Sequence, residues 1–239
     1  MPIAVNASTT SPEAGRRLAS AGGLVMAMHN FYPRPETGLD ADFLLESTRA
    51  LQEAGLRVLA FVPGDQSLRG PVHAGLPTLE EHRGQIPSAC YADMVLRFGM
   101  DGVFVGDPGL SAGEQRRIRR FQEEGVLSIP AALDPAYAGL YGQVFTCRPD
   151  SPSWLVRFTE SREYSCFGEA VEPRHCVSRG RGSITVDNRT YGRYSGEVQL
   201  LRREAPPDSR VNVIGQVPDS ALLLADRIPR GGSFTLVEP

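Results

Sequence analysis

Apolar and polar positions alternate along roughly the first 130 residues in a pattern that predicts short strands separated by helices. Short apolar runs without helical spacing predict buried strands, whereas apolar residues three and four apart predict amphipathic helices. Regular alternation of strand and helix favours a parallel sheet with helical crossovers. The predicted strands cover residues 3–5, 23–28, 57–62 and 102–105. One predicted helix begins after Ser11. The others cover residues 42–54, 78–83, 89–97 and 111–125.

Two of these helices have recognisable start signals. Ser11 precedes Pro12, the order expected for an N-cap followed by proline at the first helical position. Thr78 and Glu81 have the spacing of a capping box. The sequence therefore predicts a helix that begins at Thr78.

The pattern changes near residue 126, beyond which short alternating runs are separated by turn residues. Their regular spacing favours an all-β barrel or sandwich. We therefore predict an α/β domain over residues 1–139 and an all-β domain over residues 140–239. The runs cover residues 143–147, 153–158, 183–186, 197–201, 211–214 and 220–224.

The composition excludes several classes of partner. The chain has 239 residues with a net charge of −3, which argues against a nucleic-acid partner. No apolar run approaches the ~20 residues of a membrane span, so no membrane partner is predicted. The four cysteines lack a CxxC spacing. We interpret them as small buried hydrophobes of a reduced, cytoplasmic protein.

Every basic side chain is an arginine, because the sequence contains no lysine. This excludes Schiff-base chemistry, a P-loop and the attachment of pyridoxal phosphate, and no cofactor is predicted. Any phosphate or carboxylate must then be bound by arginines, helix N-termini or backbone amides.

Polar residues follow the predicted strands where the strands end. In a parallel sheet these ends lie at one edge, where α/β proteins bind their substrates. Two prolines stiffen residues 29–39, so the side chains there would hold fixed directions. A structural turn whose polar residues satisfy one another is the alternative. The predicted site comprises Asn6, His29, Asn30, Tyr32, Arg34, Arg69, Thr78, Glu80, His82 and Asp107.

Asp107 and Glu80 are the candidate catalytic residues, because paired carboxylates act as acid and base, or acid and nucleophile, in glycosidic cleavage. Asp107 is the stronger candidate, since it follows a glycine at a strand end; the alternative for Glu80 is that it caps its own helix. We predict that Asp107 lies within reach of His29 and Arg69. The histidines show neither HxH nor HExxH spacing, so no metal site is predicted.

Longer motifs carry a resemblance to a known family. They are HNFYPRPETGL, RGPVHAGLPTLEEHR and VGDPGLS in the first half, and RPDSPSWLVR, RGSITVDNRTYGRYSGEVQL and VNVIGQV in the second. These motifs resemble the bacterial 6-phospho-N-acetylmuramidase family over almost the whole chain. The resemblance implies a TIM barrel followed by a cyclophilin-like β domain, and hydrolysis of 6-phosphorylated N-acetylmuramic acid from N-acetylglucosamine during cell-wall recycling. The matching positions are the site residues above except Asn6, together with Gly75, Arg148, Asp150, Asp187, Asn188, Tyr191, Arg193, Tyr194 and Glu197.

For a phosphorylated amino-sugar disaccharide, we add three residues of the second half to the predicted binding site: Arg148, Asn188 and Tyr191. Because lysine is absent, we expect Arg34, Arg69 or Arg148 to form a bidentate contact with the 6-phosphate.

The chain departs from the family in length. A TIM barrel has eight strands and typically ~250 residues, whereas four βα units precede the β domain here. We therefore expect the C-terminal half of a barrel, with the first half and any catalytic group on it missing through a misassigned start or a truncated gene. A half-barrel that closes as a homodimer is the structural alternative. The alternative functions are a noncatalytic phosphosugar-binding or interaction remnant, and an isomerase or aldolase. The aldolase would require a metal, because lysine is absent.

Overall fold

The computed structural model describes residues 3–162 and 170–239. The chain forms two compact units, Met1–Ile118 and Arg119–Pro239. The sequence analysis placed this division after residue 139, but it lies earlier in the chain. The reason is that the strands at Leu127–Pro130 and Ala132–Leu133 pair with strands of the second unit. Cys166, one of the four cysteines interpreted above, lies outside the described residues.

The first unit contains a four-stranded parallel sheet whose strand order follows the chain. This confirms the predicted α/β arrangement. The first helix begins as predicted, with the Ser11 side chain accepting a hydrogen bond from the Ala14 amide behind Pro12. The strands are β1 (Ile3–Asn6), β2 (Val25–Met28), β3 (Arg57–Val62) and β4 (Gly102–Val105). The helices are α1 (Pro12–Ser20), α2 (Ala41–Glu53), α3 (Pro87–Leu96) and α4 (Ala112–Glu124), the last of which crosses the division between the units.

The predicted helix at Thr78 is wrong. The chain forms only a short 3-10 helix, Glu80–His82, and Thr78 is not its cap. The Thr78 hydroxyl instead accepts a hydrogen bond from the Phe61 amide at 2.9 Å and donates one to the Asn30 carbonyl at 3.0 Å. Thr78 is therefore a buried residue whose hydrogen bonds connect the loops that follow β2 and β3.

The two faces of the first sheet differ. Strand side chains alternate between faces, and those at Val25, Ala27, Val58 and Ala60 belong to a buried core with the helices. The opposite face carries the side chains of the intervening strand residues and is only partly covered from solvent. On it, Phe104 is 48% exposed, and Met26, Met28 and Phe61 are half-buried.

Two sheets are found in the described residues of the second unit, 119–162 and 170–239. A five-stranded sheet has the order β6-β11-β9-β10-β8 with antiparallel pairing, and a three-stranded sheet has the order β5-β12-β7. This confirms that the second half is rich in antiparallel β-structure. The strands are β5 (Leu127–Pro130), β6 (Ala132–Leu133), β7 (Val144–Thr146), β8 (Leu155–Arg157), β9 (Ser183–Asp187), β10 (Val198–Leu201), β11 (Val211–Gln216) and β12 (Ser233–Val237).

The predicted strand at residues 220–224 is wrong. The segment forms a 3-10 helix, Asp219–Ala221, followed by the helix α5, Leu222–Arg227. Its leucines and alanines are strong helix formers, and a short apolar run cannot be assigned to strand or helix by periodicity alone. The sequence analysis also missed the strand β12.

Three phenylalanines lie at the centre of the second unit. The rings of Phe145, Phe158 and Phe234 have centroids 4.7–5.9 Å apart, and Phe158 is 1% exposed. Trp154, just before β8, is by contrast 59% exposed. Among the described cysteines, two are buried as expected, whereas Cys176 is only half-buried.

Candidate functional site

Residues predicted to bind substrate do follow successive strands of the first unit. Asn6 ends β1, Asn30 follows β2, and Asp107 follows β4. Because the strands are parallel, these positions lie at the carboxyl edge of the sheet. Five of the predicted side chains are accessible: Tyr32 is half-buried, and four are exposed, namely Asn6, Asn30, Arg34 and Arg69.

A row of aromatic rings, which the sequence did not predict, continues this edge onto the partly exposed face. The Phe31 and Phe61 rings meet edge-to-face at 5.2 Å, and Phe61 lies 5.9 Å from Phe104. The Arg69 guanidinium lies 5.9 Å from the centre of the Phe31 ring. Aromatic surface beside a cation suits a ligand that has both an apolar face and a negative charge.

The Asp107 carboxylate is bound by backbone amides. One oxygen accepts hydrogen bonds from the amides of Gly64 at 2.9 Å and Leu76 at 3.0 Å, and the other accepts one from the Arg69 amide at 2.9 Å. Asp107 is also buried. The expected proximity to Arg69 is present, but it involves the main chain. In this geometry Asp107 fixes the loop from residue 64 to residue 76.

The two buried histidines of the predicted site lie in the helical layer. His29 Nε2 is 3.2 Å from the Thr48 hydroxyl on α2, and burial lowers the pKa of His29 to about 4. His82 Nε2 is 2.9 Å from a carboxylate oxygen of Asp93 on α3. All four side chains are fully buried. His29 continues the helix-facing side of β2, where its ring meets α2, and the expectation that Asp107 lies within reach of it stays a prediction.

Glu80 is held in its ionised form. Its two oxygens accept hydrogen bonds from the amides of Glu36 at 2.9 Å and Gly38 at 2.8 Å. Arg83 forms a fork with the same carboxylate at 2.6 and 2.8 Å. The hydrogen bonds from Arg83 lower the pKa of Glu80 to about 2, so this group carries no proton to donate near neutral pH.

Arg83, which the sequence analysis missed, joins the loops around this edge. Besides Glu80, its guanidinium donates hydrogen bonds to four backbone carbonyls at 2.9–3.2 Å, those of Ala74, Gly75, Tyr32 and Arg34. The spacing of Glu80 and Arg83, three residues apart, was the available signal. A cavity of about 480 Å³ lies beside Arg83, lined by residues 63–66, 68, 74–75 and 83–86.

Two of the residues predicted in the second unit are engaged within the protein. Arg148 forms a bidentate pair with Asp150 at 2.9 and 2.7 Å. Asn188 is fully buried and donates a hydrogen bond to the Ser209 carbonyl at 2.9 Å. The third, Tyr191, is half-buried, with the Arg210 guanidinium 4.5 Å from its ring centre.

A pair of buried carboxylates lies near these residues. Glu197 is paired with Arg157 at 2.8 Å and with Arg162. Burial, and the charge of Glu197, raise the pKa of Asp187 to about 7. Asp187 is therefore largely protonated at slightly acidic pH, in a cluster that otherwise consists of ion pairs.

Among residues 3–162 and 170–239, no three His, Cys, Asp or Glu side chains converge closely enough to hold a metal ion. Within those same ranges, no helix has the length and apolar character needed to cross a membrane.

Comparison with known proteins decides the family. Models described as the N-terminal and the C-terminal part of 6-phospho-N-acetylmuramidase match residues 1–120 and 129–237. The chain belongs to the 6-phospho-N-acetylmuramidase family. The resemblance of its motifs is thereby confirmed. No curated protein matches the sequence.

Two solved structures are similar to this 6-phospho-N-acetylmuramidase family member over its whole length. One is a conserved Enterococcus faecalis protein of unknown function, with 34% identity and a TM-score of 0.87. The other is an uncharacterized B. cereus protein, with 26% identity and a TM-score of 0.79. The chain spans 66% of the first protein and 71% of the second. The family models, which match residues 1–120 and 129–237, do not support the expected truncation.

Proposed function

We propose that the chain acts on 6-phosphorylated N-acetylmuramyl sugars as a glycoside hydrolase, cleaving 6-phospho-N-acetylmuramic acid from N-acetylglucosamine in peptidoglycan recycling. The observation that carries this proposal is the pair of family matches, which together extend over residues 1–120 and 129–237. The aromatic row beside Arg69 supports it, because a phosphorylated sugar offers both a ring face and a negative charge.

In this proposal the substrate binds at the carboxyl edge of β1 to β4, in contact with Asn6, Asn30, Tyr32, Arg34 and Arg69. No nucleic-acid, membrane or cofactor requirement is proposed, and the cytoplasmic location stays a prediction.

We further propose that the first unit is half of a TIM barrel and that the second is a cyclophilin-like barrel. In support of the first, each parallel strand is followed by a helix, one face of the sheet is only partly shielded, and β1 and β4 are edge strands among the described elements. Closure to eight strands would then need four more, either from a further segment or from a second copy in a homodimer.

The carboxylates proposed for the reaction are Glu80 and Asp107. Because Glu80 is charged, it fits the base or nucleophile and not the acid. Asp107 would have to release backbone amides before it could exchange a proton with substrate. These bonds favour the second candidate function, a noncatalytic phosphosugar-binding protein.

Hydrolysis of the 6-phosphorylated disaccharide by the purified chain tests the proposal, with the unphosphorylated disaccharide as control. Glu80→Gln should abolish release of N-acetylglucosamine, whereas Glu81→Gln, a change at the exposed neighbour, should not. Hydrolysis that is absent from the unmodified chain, with phosphosugar binding retained, would favour the noncatalytic function. Equal rates for Glu80→Gln and Glu81→Gln would remove Glu80 from the reaction.

A further inference from the structure

We propose that the second unit carries its own binding surface for a phosphorylated sugar, built from Tyr191, Arg193 and Tyr194 on the turn between β9 and β10. The choice of ligand rests on the proposed function, whereas the surface itself follows from the geometry of the turn. Arg193 is the residue we assign to the phosphate.

The turn is anchored, so its side chains are held in place before a ligand arrives. The buried Asn188 accepts hydrogen bonds from the amide of Thr190 at 3.1 Å and from its hydroxyl at 2.6 Å, and it ties the turn to the Ser209 carbonyl. Gly192 adopts a φ of 62°, a conformation that favours glycine, between Tyr191 and Arg193. Such pre-organisation lowers the entropy cost of binding.

Arg193 differs in its partners from the neighbouring arginines. Its guanidinium is exposed, lies 5.0 Å from the centre of the Tyr194 ring and donates to the Tyr194 hydroxyl at 2.8 Å. Within residues 3–162 and 170–239, no carboxylate pairs with it. Five other arginines of the second unit are paired with carboxylates: Arg148 with Asp150, Arg157 and Arg162 with Glu197, Arg189 with Glu172, and Arg210 with Asp208. An anion from a ligand would supply the missing charge.

The aromatic rings suit the sugar. Tyr191 and Tyr194 meet edge-to-face with centroids 5.9 Å apart, and the Arg162 and Arg210 guanidiniums lie 5.1 and 4.5 Å from the Tyr194 and Tyr191 rings. The carboxylates that pair with the surrounding arginines would repel an extended polyanion. A compact ligand with one phosphate on a sugar ring therefore fits better than a nucleic acid.

This assignment replaces an earlier expectation. Arg148 is one of the three arginines expected to bind the 6-phosphate, with Arg34 and Arg69, but its guanidinium is occupied by Asp150. Arg193 retains unoccupied N–H donors in the described part of the chain, and a guanidinium can bind phosphate with two parallel hydrogen bonds.

A titration of the full, ¹⁵N-labelled chain with N-acetylglucosamine 6-phosphate tests the surface, followed through the amide signals of residues 188–197. Arg193→Ala should weaken binding about tenfold or more, and Arg193→Lys should weaken it less, because the charge remains but the fork is lost. Arg189→Ala is the matched control, since Arg189 lies on the same turn and pairs with Glu172; it should leave the affinity unchanged. N-acetylglucosamine without phosphate should bind at least about tenfold more weakly.

Equal affinities for Arg193→Ala and Arg189→Ala, with folded spectra for both, would overturn the inference. The inference would also be overturned if N-acetylglucosamine bound as tightly as its 6-phosphate, or if a single-stranded RNA bound more tightly than the 6-phosphate at the same amides. The outcome is separable from that of the hydrolysis assay. Hydrolysis without binding at this turn would remove only this surface, whereas binding here without hydrolysis would remove only the proposed activity.

Discussion

The two units show that parallel and antiparallel sheets bury their faces in different ways. In the first unit, four parallel strands pack one face on helices and leave Phe104 on the other face 48% exposed. In the second unit, two sheets share a centre in which Phe158 is 1% exposed. Antiparallel strands can close over a core within about a hundred residues, whereas parallel βα units require eight strands to close a barrel. The second unit is therefore expected to be stable by itself, and the first to depend on further burial.

Buried titratable groups extend the comparison. His29 in the first unit is buried in neutral form, with a pKa lowered to about 4. Asp187 in the second unit has a pKa raised to about 7. Both shifts arise mainly from burial, but they oppose each other in sign, since one group is a base and the other an acid.

The largest effect is expected from Phe158→Ala, which should lower the free energy of unfolding of the second unit by about 4 kcal/mol. The physical reason is the loss of a fully buried ring that contacts Phe145 and Phe234. Hydrogen exchange with mass spectrometry resolves the two units and measures the change. Phe104→Ala is the matched control and should cost under about 1 kcal/mol. Similar costs for both substitutions would contradict the difference between the two units.

Arg83→Ala should destabilise the first unit by about 3 kcal/mol, because it removes one partner of the pair with Glu80 and leaves four carbonyls without their donor. Amide exchange should rise at residues 30–38 and 74–80. Arg17→Ala is the control, since Arg17 is exposed and pairs with the exposed Glu13. If the Arg83→Ala and Arg17→Ala variants show the same amide exchange, Arg83 does not hold these loops together.

The units should respond to pH in opposite directions. The ordinary pKa of an aspartate is 3.8. Between pH 3.8 and about pH 7, Asp187 is ionised in the unfolded state but not in the folded state, so the second unit loses stability as the pH rises. Between pH 6.5 and about pH 4, His29 is protonated only in the unfolded state, so the first unit loses stability as the pH falls. At about 1.4 kcal/mol per pH unit, each effect should amount to roughly 3–4 kcal/mol across its full window.

Asp187→Asn and His29→Gln should flatten these two dependences separately, and unit-resolved denaturation at several pH values measures this. The window of Glu80, from pH 4.5 down to about 2, overlaps only the acidic ends of these two windows. A stability of the second unit that rises with pH would show that Asp187 is charged in the folded protein.

The smallest effect on stability is expected from Phe104→Ser, because the side chain is already half exposed. The substitution should instead weaken self-association of the chain, since apolar surface and unpaired edge strands recruit other chains. Size-exclusion chromatography over a range of concentrations measures the association. A strictly monomeric, active wild-type chain would contradict the expected dependence on further burial.

The sequence predicted the strands of the first unit well, because each is a short apolar run bounded by turn residues. It predicted the directions of site residues poorly. His29 lies two residues after Ala27 and four after Val25, so the alternation of β2 could have placed it on the helix-facing side. The amide contacts of Asp107 could not have been predicted, because they depend on how the loop from residue 64 folds back over it.

The exposed position of Trp154 has a consequence for optical spectroscopy. It is the chain's sole tryptophan, and an indole that is 59% exposed already emits much as it would in water. Unfolding should therefore shift the emission maximum little, and the first unit contributes no tryptophan signal at all. A flat fluorescence melting curve would describe the surroundings of one side chain and would not show that the protein is unfolded.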